Sequence, residues 1–182
     1  RLAAAPALVI ATGGLSIPKM GATGFAYDLA RKFGLKVVEP RPALVPFTLG
    51  PDDALFTSLS GVSADVIART GKTAFREAAL FTHRGLSGPA ILQVSSYWRH
   101  RDPVEIDFLP DQLDGWLRAL KRDNARLTLR RALSDRLPDR LAQALADRIG
   151  ATGELGEEKD AALAQVERQL ARWPFHPNGT EG

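Results

Sequence analysis

The chain has 182 residues, of which 45% are hydrophobic and 25% charged, a composition typical of a globular protein. It contains no cysteine, which excludes disulfides, thiolate metal sites and a cysteine nucleophile and is compatible with the cytosol, so we expect a cytoplasmic protein. The net charge of +3 is mildly basic, and no apolar run approaches the roughly 20 residues of a membrane-spanning helix, so we expect no membrane partner.

The stretch LVIATGGLSIPKMGATG, residues 8 to 24, begins the series of predicted elements. Its apolar run, Leu8 to Ala11, predicts a buried strand of the parallel-sheet type that ends in a glycine loop. Apolar spacing from Phe25 to Phe33 predicts a helix, with Thr23 as its N-cap and Gly34 just after its C-terminus. The opening segment is therefore a strand, a loop and a helix.

The glycine loop matches neither of the common phosphate-binding motifs. Lys19 precedes Gly21 and no Gly-Lys-Ser/Thr triplet follows, which excludes a Walker A loop, and the glycine spacing differs from the Rossmann motif. Taken alone, these glycines indicate a close approach of the backbone to a ligand or an ordinary structural loop.

Short apolar runs separated by proline and glycine continue the chain and predict a small antiparallel barrel or sandwich. They lie at residues 36–39, 43–47, 62–68, 75–81 and 104–108. Pro89 to Ser96 predicts a short helix, because Pro89 suits the first helical position after Gly88.

Leucines at helical spacing predict a helical bundle from Asp111 onward. Arginines and aspartates alternate along these helices, a pattern that favours solvated faces with ion pairs, so nucleic acid is not expected as a partner. The alternative is a non-enzymatic binding or scaffold module whose arginine-bearing helices contact a partner protein or nucleic acid. The tail, Phe175 to Gly182, is rich in turn residues and predicts no closing element.

The segment Gly85-Leu86-Ser87-Gly88-Pro89 follows His83 closely and has three interpretations. A serine nucleophile is disfavoured, because Pro89 occupies the last glycine position of the nucleophile elbow. The second interpretation is a tight strand-to-helix turn in which Ser87 caps the helix. The third places His83 and Ser87 at the rim of a pocket. The three histidines lack the spacing of metal ligands, so we expect no metal site.

Residues 8–24, Pro42 to Pro46 and Leu80 to Leu92 together resemble the BaiN/YhiN-like family of FAD-dependent NAD(P)H oxidoreductases, the aminoacetone-oxidase-family enzymes. The resemblance covers about the first half of the chain. It implies an α+β protein in which an FAD-binding α/β domain is divided by an insert made of a small antiparallel β-barrel and a helical bundle. The implied segments are 1–34 (partial Rossmann-like FAD-binding segment), 35–110 (barrel), 111–174 (helical subdomain) and 175–182 (return to the FAD domain).

The resemblance also implies a function. The full-length protein would transfer hydride through FAD from NAD(P)H to a small-molecule substrate, and this chain would be its substrate-side insert, inactive in isolation and binding FAD weakly or not at all. The insert would have the rest of the FAD-binding domain as its partner. Backbone contacts to FAD are implied for Ala11, Thr12, Gly13 and Gly14. No catalytic residue is assigned, and the candidates on the substrate side are His83, Arg84 and Ser87, with a surface ion pair as the alternative role of Arg84.

Overall fold

The computed structural model describes residues 5–181, except for the side chain of Pro18, and divides into two units between Pro42 and Ala43. The N-terminal unit contains a 3-10 turn at Pro18–Met20 and the helix α1 (Phe25–Lys32). The helix predicted here is confirmed, and Gly34 follows it with a φ of +74°. Its N-cap is Gly24 and no side chain caps it, so the prediction of Thr23 as the cap is wrong.

The strand predicted at Leu8 to Ala11 is not formed. These residues are exposed, and Val9 retains 87% of its accessible surface. An apolar segment becomes a strand only when neighbouring strands take up its backbone hydrogen bonds and cover its side chains. Within residues 5–42 the structure contains no strand that could do so.

The second unit consists of one antiparallel sheet and a set of helices. Its strands are β1 (Phe47–Thr48), β2 (Ser63–Thr70), β3 (Thr73–Phe81), β4 (Gly85–Ser87), β5 (Val104–Asp107), β6 (Trp173–Phe175) and β7 (Gly179–Thr180). Its helices are α2 (Ala54–Thr57), α3 (Pro89–Ser95), α4 (Trp116–Asp123), α5 (Leu129–Ser134), α6 (Asp139–Ile149) and α7 (Asp160–Ala171), with 3-10 turns at Pro51–Asp53 and Leu155–Glu157.

The sheet has the strand order β6-β5-β2-β3-β4-β1-β7, and its two edge strands follow one another in the sequence. The chain from Phe175 to Gly179 spans at most about 14 Å, because an extended residue covers no more than about 3.6 Å. Seven strands laid flat would separate the edges by about 29 Å, at about 4.8 Å between neighbours. The sheet must therefore curl, which confirms the predicted α+β class with a barrel-like sheet and a helical part.

The strand predictions succeed where the strands are long. The runs at 62–68, 75–81 and 104–108 correspond to β2, β3 and β5, and the helix α3 is also confirmed. The run at 36–39 forms no strand and the run at 43–47 contributes only Phe47, since the prolines around both runs cannot donate to a ladder. The tail predicted without a closing element instead supplies β7 and the last residue of β6, the two edge strands of the curled sheet.

Sheet and helices share one hydrophobic core. Buried aromatic rings from α2, the sheet and the end of β5 pack on each other, with the rings of Phe56 and Phe175 4.8 Å apart. Leucines of α4 to α7, such as Leu117 and Leu145, belong to the same core. The helical part therefore packs on the barrel and stabilises it, and the two do not form separate cores.

The ion pair between Lys121 of α4 and Asp160 of α7, with an N–O distance of 2.8 Å, predicts a pH dependence of stability. The hydrogen bond from Lys121 lowers the pKa of Asp160, so the folded state releases this proton more readily than the unfolded state. The stabilisation is present above the ordinary aspartate pKa and is lost as the pH falls through the lowered one. Asp107 acts in the opposite direction, because burial raises its pKa.

We therefore expect Asp160→Asn to lose less stability than the unmodified chain between pH 6 and pH 3 in urea unfolding. Equal losses in the two proteins would show that this pair contributes nothing to the acid sensitivity.

Candidate functional site

The residues implied for FAD contact lie in an open loop of the N-terminal unit. Ala11, Thr12 and Gly13 are exposed and Gly14 is half-buried. Gly13 has a φ of +72°, a conformation that favours glycine, and a Cβ at this position would meet no atom within 4 Å. A Cβ at Gly14 would lie 3.0 Å from the hydroxyl oxygen of Tyr27. The loop thus presents bare backbone, which fits contacts of the main chain with a flat cofactor such as FAD.

The glycines of the segment 85–89 are explained by packing between strands. β4 lies between β1 and β3, and a Cβ at Gly85 would overlap the carbonyl oxygen of Phe47. A Cβ at Gly88 would lie 2.8 Å from the carbonyl oxygen of Ala78 and 2.8 Å from the amide of Leu80. Ser87 itself belongs to the strand β4. The N-cap of α3 is Gly88 and no side chain caps this helix, so the prediction that Ser87 caps it is wrong.

The candidates His83 and Arg84 are exposed in the turn between β3 and β4. The hydroxyl oxygen of Thr82 accepts hydrogen bonds from the amides of Arg84 and Gly85 at 3.2 and 3.0 Å and holds the turn in shape. Arg84 forms an ion pair with Glu181, with an Nε–Oε1 distance of 2.8 Å. Ser87 is half-buried at the far end of β4. The structure therefore brings His83 and Arg84 onto one exposed turn and separates Ser87 from them by a strand.

A second exposed cluster, Tyr97–Arg101, was not predicted from the sequence. It follows α3 and has the sequence Tyr-Trp-Arg-His-Arg, an alternation of aromatic and basic residues that could have drawn attention to it. Tyr97 retains 54% of its accessible surface and is the one exposed Phe, Tyr or Trp among residues 43–181. Trp98 fixes the segment, since its indole donates to the carbonyl oxygen of Asp102 at 2.8 Å and its ring contacts Phe47 at 5.1 Å.

The described residues, 5–181, offer neither a metal site nor a membrane-spanning helix. Their His, Asp and Glu side chains form no group of three or more that could hold a metal ion. None of their helices combines the length and the apolar character needed to cross a membrane.

Comparison with known proteins identifies relatives along almost the whole chain. The chain is 40% identical over 183 residues to a ribosomal RNA dihydrouridine synthase of Haemophilus influenzae, covering 96% of this chain and 44% of that protein. It is 43% identical over 186 residues to a ribosomal RNA dihydrouridine synthase of Escherichia coli K12, covering 96% of this chain and 45% of that protein. It thus spans less than half the length of these curated relatives.

A family model described as the HI0933-like protein barrel and H2TH domain matches residues 41–182. This range coincides closely with the unit that begins at Ala43 and contains the curled sheet and the helices α2 to α7. The chain therefore belongs to the HI0933-like protein family and contains its barrel and H2TH domain.

Proposed function

We propose that this chain is part of an FAD-dependent enzyme that reduces uridine in ribosomal RNA to dihydrouridine. The observation that carries the proposal is 40% and 43% identity, over 96% of the chain, to two proteins named ribosomal RNA dihydrouridine synthase. The proposal keeps the flavoenzyme class implied by the resemblance to BaiN/YhiN-like oxidoreductases. It replaces the expected small-molecule substrate with a base in RNA.

The proposed reaction adds a hydride and a proton across the C5=C6 double bond of uracil, while NAD(P)H is oxidised to NAD(P)⁺. FAD, when bound, supplies the hydride transfer between the two. The exposed backbone of residues 11–14 would hold part of the cofactor, since small residues there leave the main chain accessible. The turn that carries His83 and Arg84 would face the substrate.

The N-terminal unit supplies a second argument for a longer enzyme. The helix α1 has no buried residue, and large apolar side chains along residues 8–38 are exposed, among them Met20, Phe33 and Val38. Apolar surface of this extent is typical of an interface. We propose that this unit packs against the rest of an FAD-binding domain. The relatives are more than twice as long as the matched region, so they contain enough further sequence for such a domain.

The proposed function is tested with the longer protein that contains this chain. Purified protein with FAD is incubated with NADH or NADPH and unmodified ribosomal RNA transcribed in vitro, and the digested nucleosides are analysed by mass spectrometry. We expect a uridine product heavier by two hydrogens that requires both FAD and the reduced nicotinamide. The absence of this product with both nicotinamides would overturn the proposed function.

Variants of the exposed turn test the role of the substrate side. In the longer protein, His83→Ala is expected to slow dihydrouridine formation by roughly 10²- to 10⁴-fold, the contribution that is typical of a positioned proton-transferring group. The rate of flavin reduction by NAD(P)H should remain unchanged. His176→Ala, at an exposed histidine in the connection between β6 and β7, is the matched control and should leave both rates unchanged. Equal dihydrouridine formation in the two variants would exclude His83 from the site.

A further inference from the structure

We propose that the Tyr97–Arg101 segment, together with Lys72 in the turn between β2 and β3, binds a single-stranded segment of RNA, with one base stacked on Tyr97. This inference rests on the proposed function, which makes RNA the substrate, and adds the surface that holds it. It also revises the expectation from the sequence, in which nucleic acid was not a partner.

Tyr97 has the geometry of a stacking platform. Its ring lies 5.7 Å from the ring of Phe75, tilted by 39°, and half of its surface remains open. Phe75 is held by the core, so it supports the tyrosine ring from one side. A base can stack on the open side, and such contacts bind any base because every base has a π-face.

Three basic side chains lie in this segment and in the β2–β3 turn. Lys72, Arg99 and Arg101 are exposed, and within residues 5–181 none of them lies within 4.0 Å of a carboxylate. Arg69 and Arg172, which do form ion pairs, line a neighbouring groove together with the carboxylates of Asp102 and Glu105. Three cations without a carboxylate partner match the phosphates of an RNA strand.

Two hydrogen bonds hold the segment and connect it to the turn. The amide of Asp102 donates to the carbonyl oxygen of Arg99 at 2.8 Å, which closes the turn after the histidine. The hydroxyl of Thr70 donates to the carbonyl oxygen of Pro103 at 3.3 Å and ties the β2–β3 turn to the same segment. These contacts hold the backbone of the segment and the turn in place, which lowers the ordering cost of binding.

The test measures binding of a fluorescein-labelled, single-stranded RNA of 12 nucleotides and mixed sequence to the 182-residue chain by fluorescence anisotropy at several salt concentrations. For Lys72→Ala/Arg101→Ala we expect weaker binding and a slope of log K against log salt that is shallower by about 1.4, at about 0.7 for each phosphate contact of a single strand. Neither side chain makes a hydrogen bond within the described residues, so the variant should fold normally, as circular dichroism will show.

Tyrosine variants separate stacking from charge. Tyr97→Ala should weaken binding roughly 5- to 150-fold, the effect of one lost stacking contact, without changing the salt slope. Tyr97→Phe keeps the ring and should bind RNA as the unmodified chain does. Equal affinity of Tyr97→Ala and Tyr97→Phe would overturn the stacking role.

A matched control uses two exposed arginines of the helical part. Arg126 and Arg130 also form no ion pair within residues 5–181, so Arg126→Ala/Arg130→Ala removes the same charge elsewhere and should leave the affinity and slope unchanged. The inference is overturned if this control loses salt dependence while Lys72→Ala/Arg101→Ala does not, or if the unmodified chain binds no RNA. Dihydrouridine formation by the longer protein is measured separately, so the proposed function can stand while this surface fails.

Discussion

Gly88→Ala is expected to destabilise the chain by about 3 kcal/mol or more, because it combines backbone strain with a direct overlap. Gly88 has a φ of +90°, which side-chain-bearing residues rarely adopt, and its Cβ would approach the backbone of Ala78 and Leu80 to 2.8 Å. Those atoms belong to the central strand β3 and cannot retreat without breaking its ladder with β2. At roughly 2–4 °C per kcal/mol, the melting temperature should fall by at least about 6 °C.

The measurement is thermal unfolding followed by circular dichroism, with Gly71→Ala as the control. Gly71 also has a positive φ, +54°, but a Cβ there meets no atom within 4 Å. Its replacement should therefore cost only the strain of about 1–2 kcal/mol. Equal melting temperatures of the two variants would show that the close approach of the Cβ at Gly88 does not lower the stability.

Glu167→Ala is expected to cost about 2–4 kcal/mol, because it leaves one buried and one partly buried amide without a partner. The Glu167 carboxylate, only 8% exposed, accepts hydrogen bonds from the amides of Gly115 at 2.9 Å and Leu117 at 2.7 Å. These amides open the helix α4, whose own N-cap residue, Gly115, offers no side chain. A residue of α7, about 50 positions later in the sequence, thus caps the N-terminus of α4.

Urea unfolding of three variants tests this contact. Glu167→Gln retains one acceptor oxygen and should fall between the unmodified chain and Glu167→Ala. Arg168→Ala, at the exposed neighbouring position on the same helix, should change the free energy of unfolding by less than about 0.5 kcal/mol. A loss below about 1 kcal/mol for Glu167→Ala would mean that water replaces the carboxylate at these amides.

The strands that the sequence predicted are those long enough to show a pattern. β2 and β3 have eight and nine residues, and β2 alternates between exposed and buried positions along most of its length. The strands β1, β4, β6 and β7 have two or three residues, too few for a periodicity, and Pro174 within β6 disguises it further. Leu8 to Ala11 shows the reverse error, since an apolar run predicts burial but cannot supply the neighbours that produce it.

The candidate site was predictable only in its local parts. An exposed turn with His83 and Arg84 can be predicted from the local sequence. The ion pair between Arg84 and Glu181 cannot, because it depends on the pairing of β7 with β1. Ser87 was predicted as an N-cap because serine often caps a helix that begins just after it. Only the strand pairing shows that Gly85 and Gly88 are needed for close packing against neighbouring strands. Tyr97–Arg101 carried a visible signal, but its exposure could not be deduced from one sequence.

The addition of β6 and β7 as the two edge strands has a consequence for the order of events during synthesis. β1 lies near the start of the second unit, yet it pairs with β7 near the end of the chain. Phe47 is opposite Thr180 in this ladder, and the helical part lies between them in the sequence. Contacts between residues this distant in sequence slow folding. On the ribosome, the outer edges of β5 and β1 stay unpaired until residues 173–180 emerge, and during that interval they are exposed to mispairing.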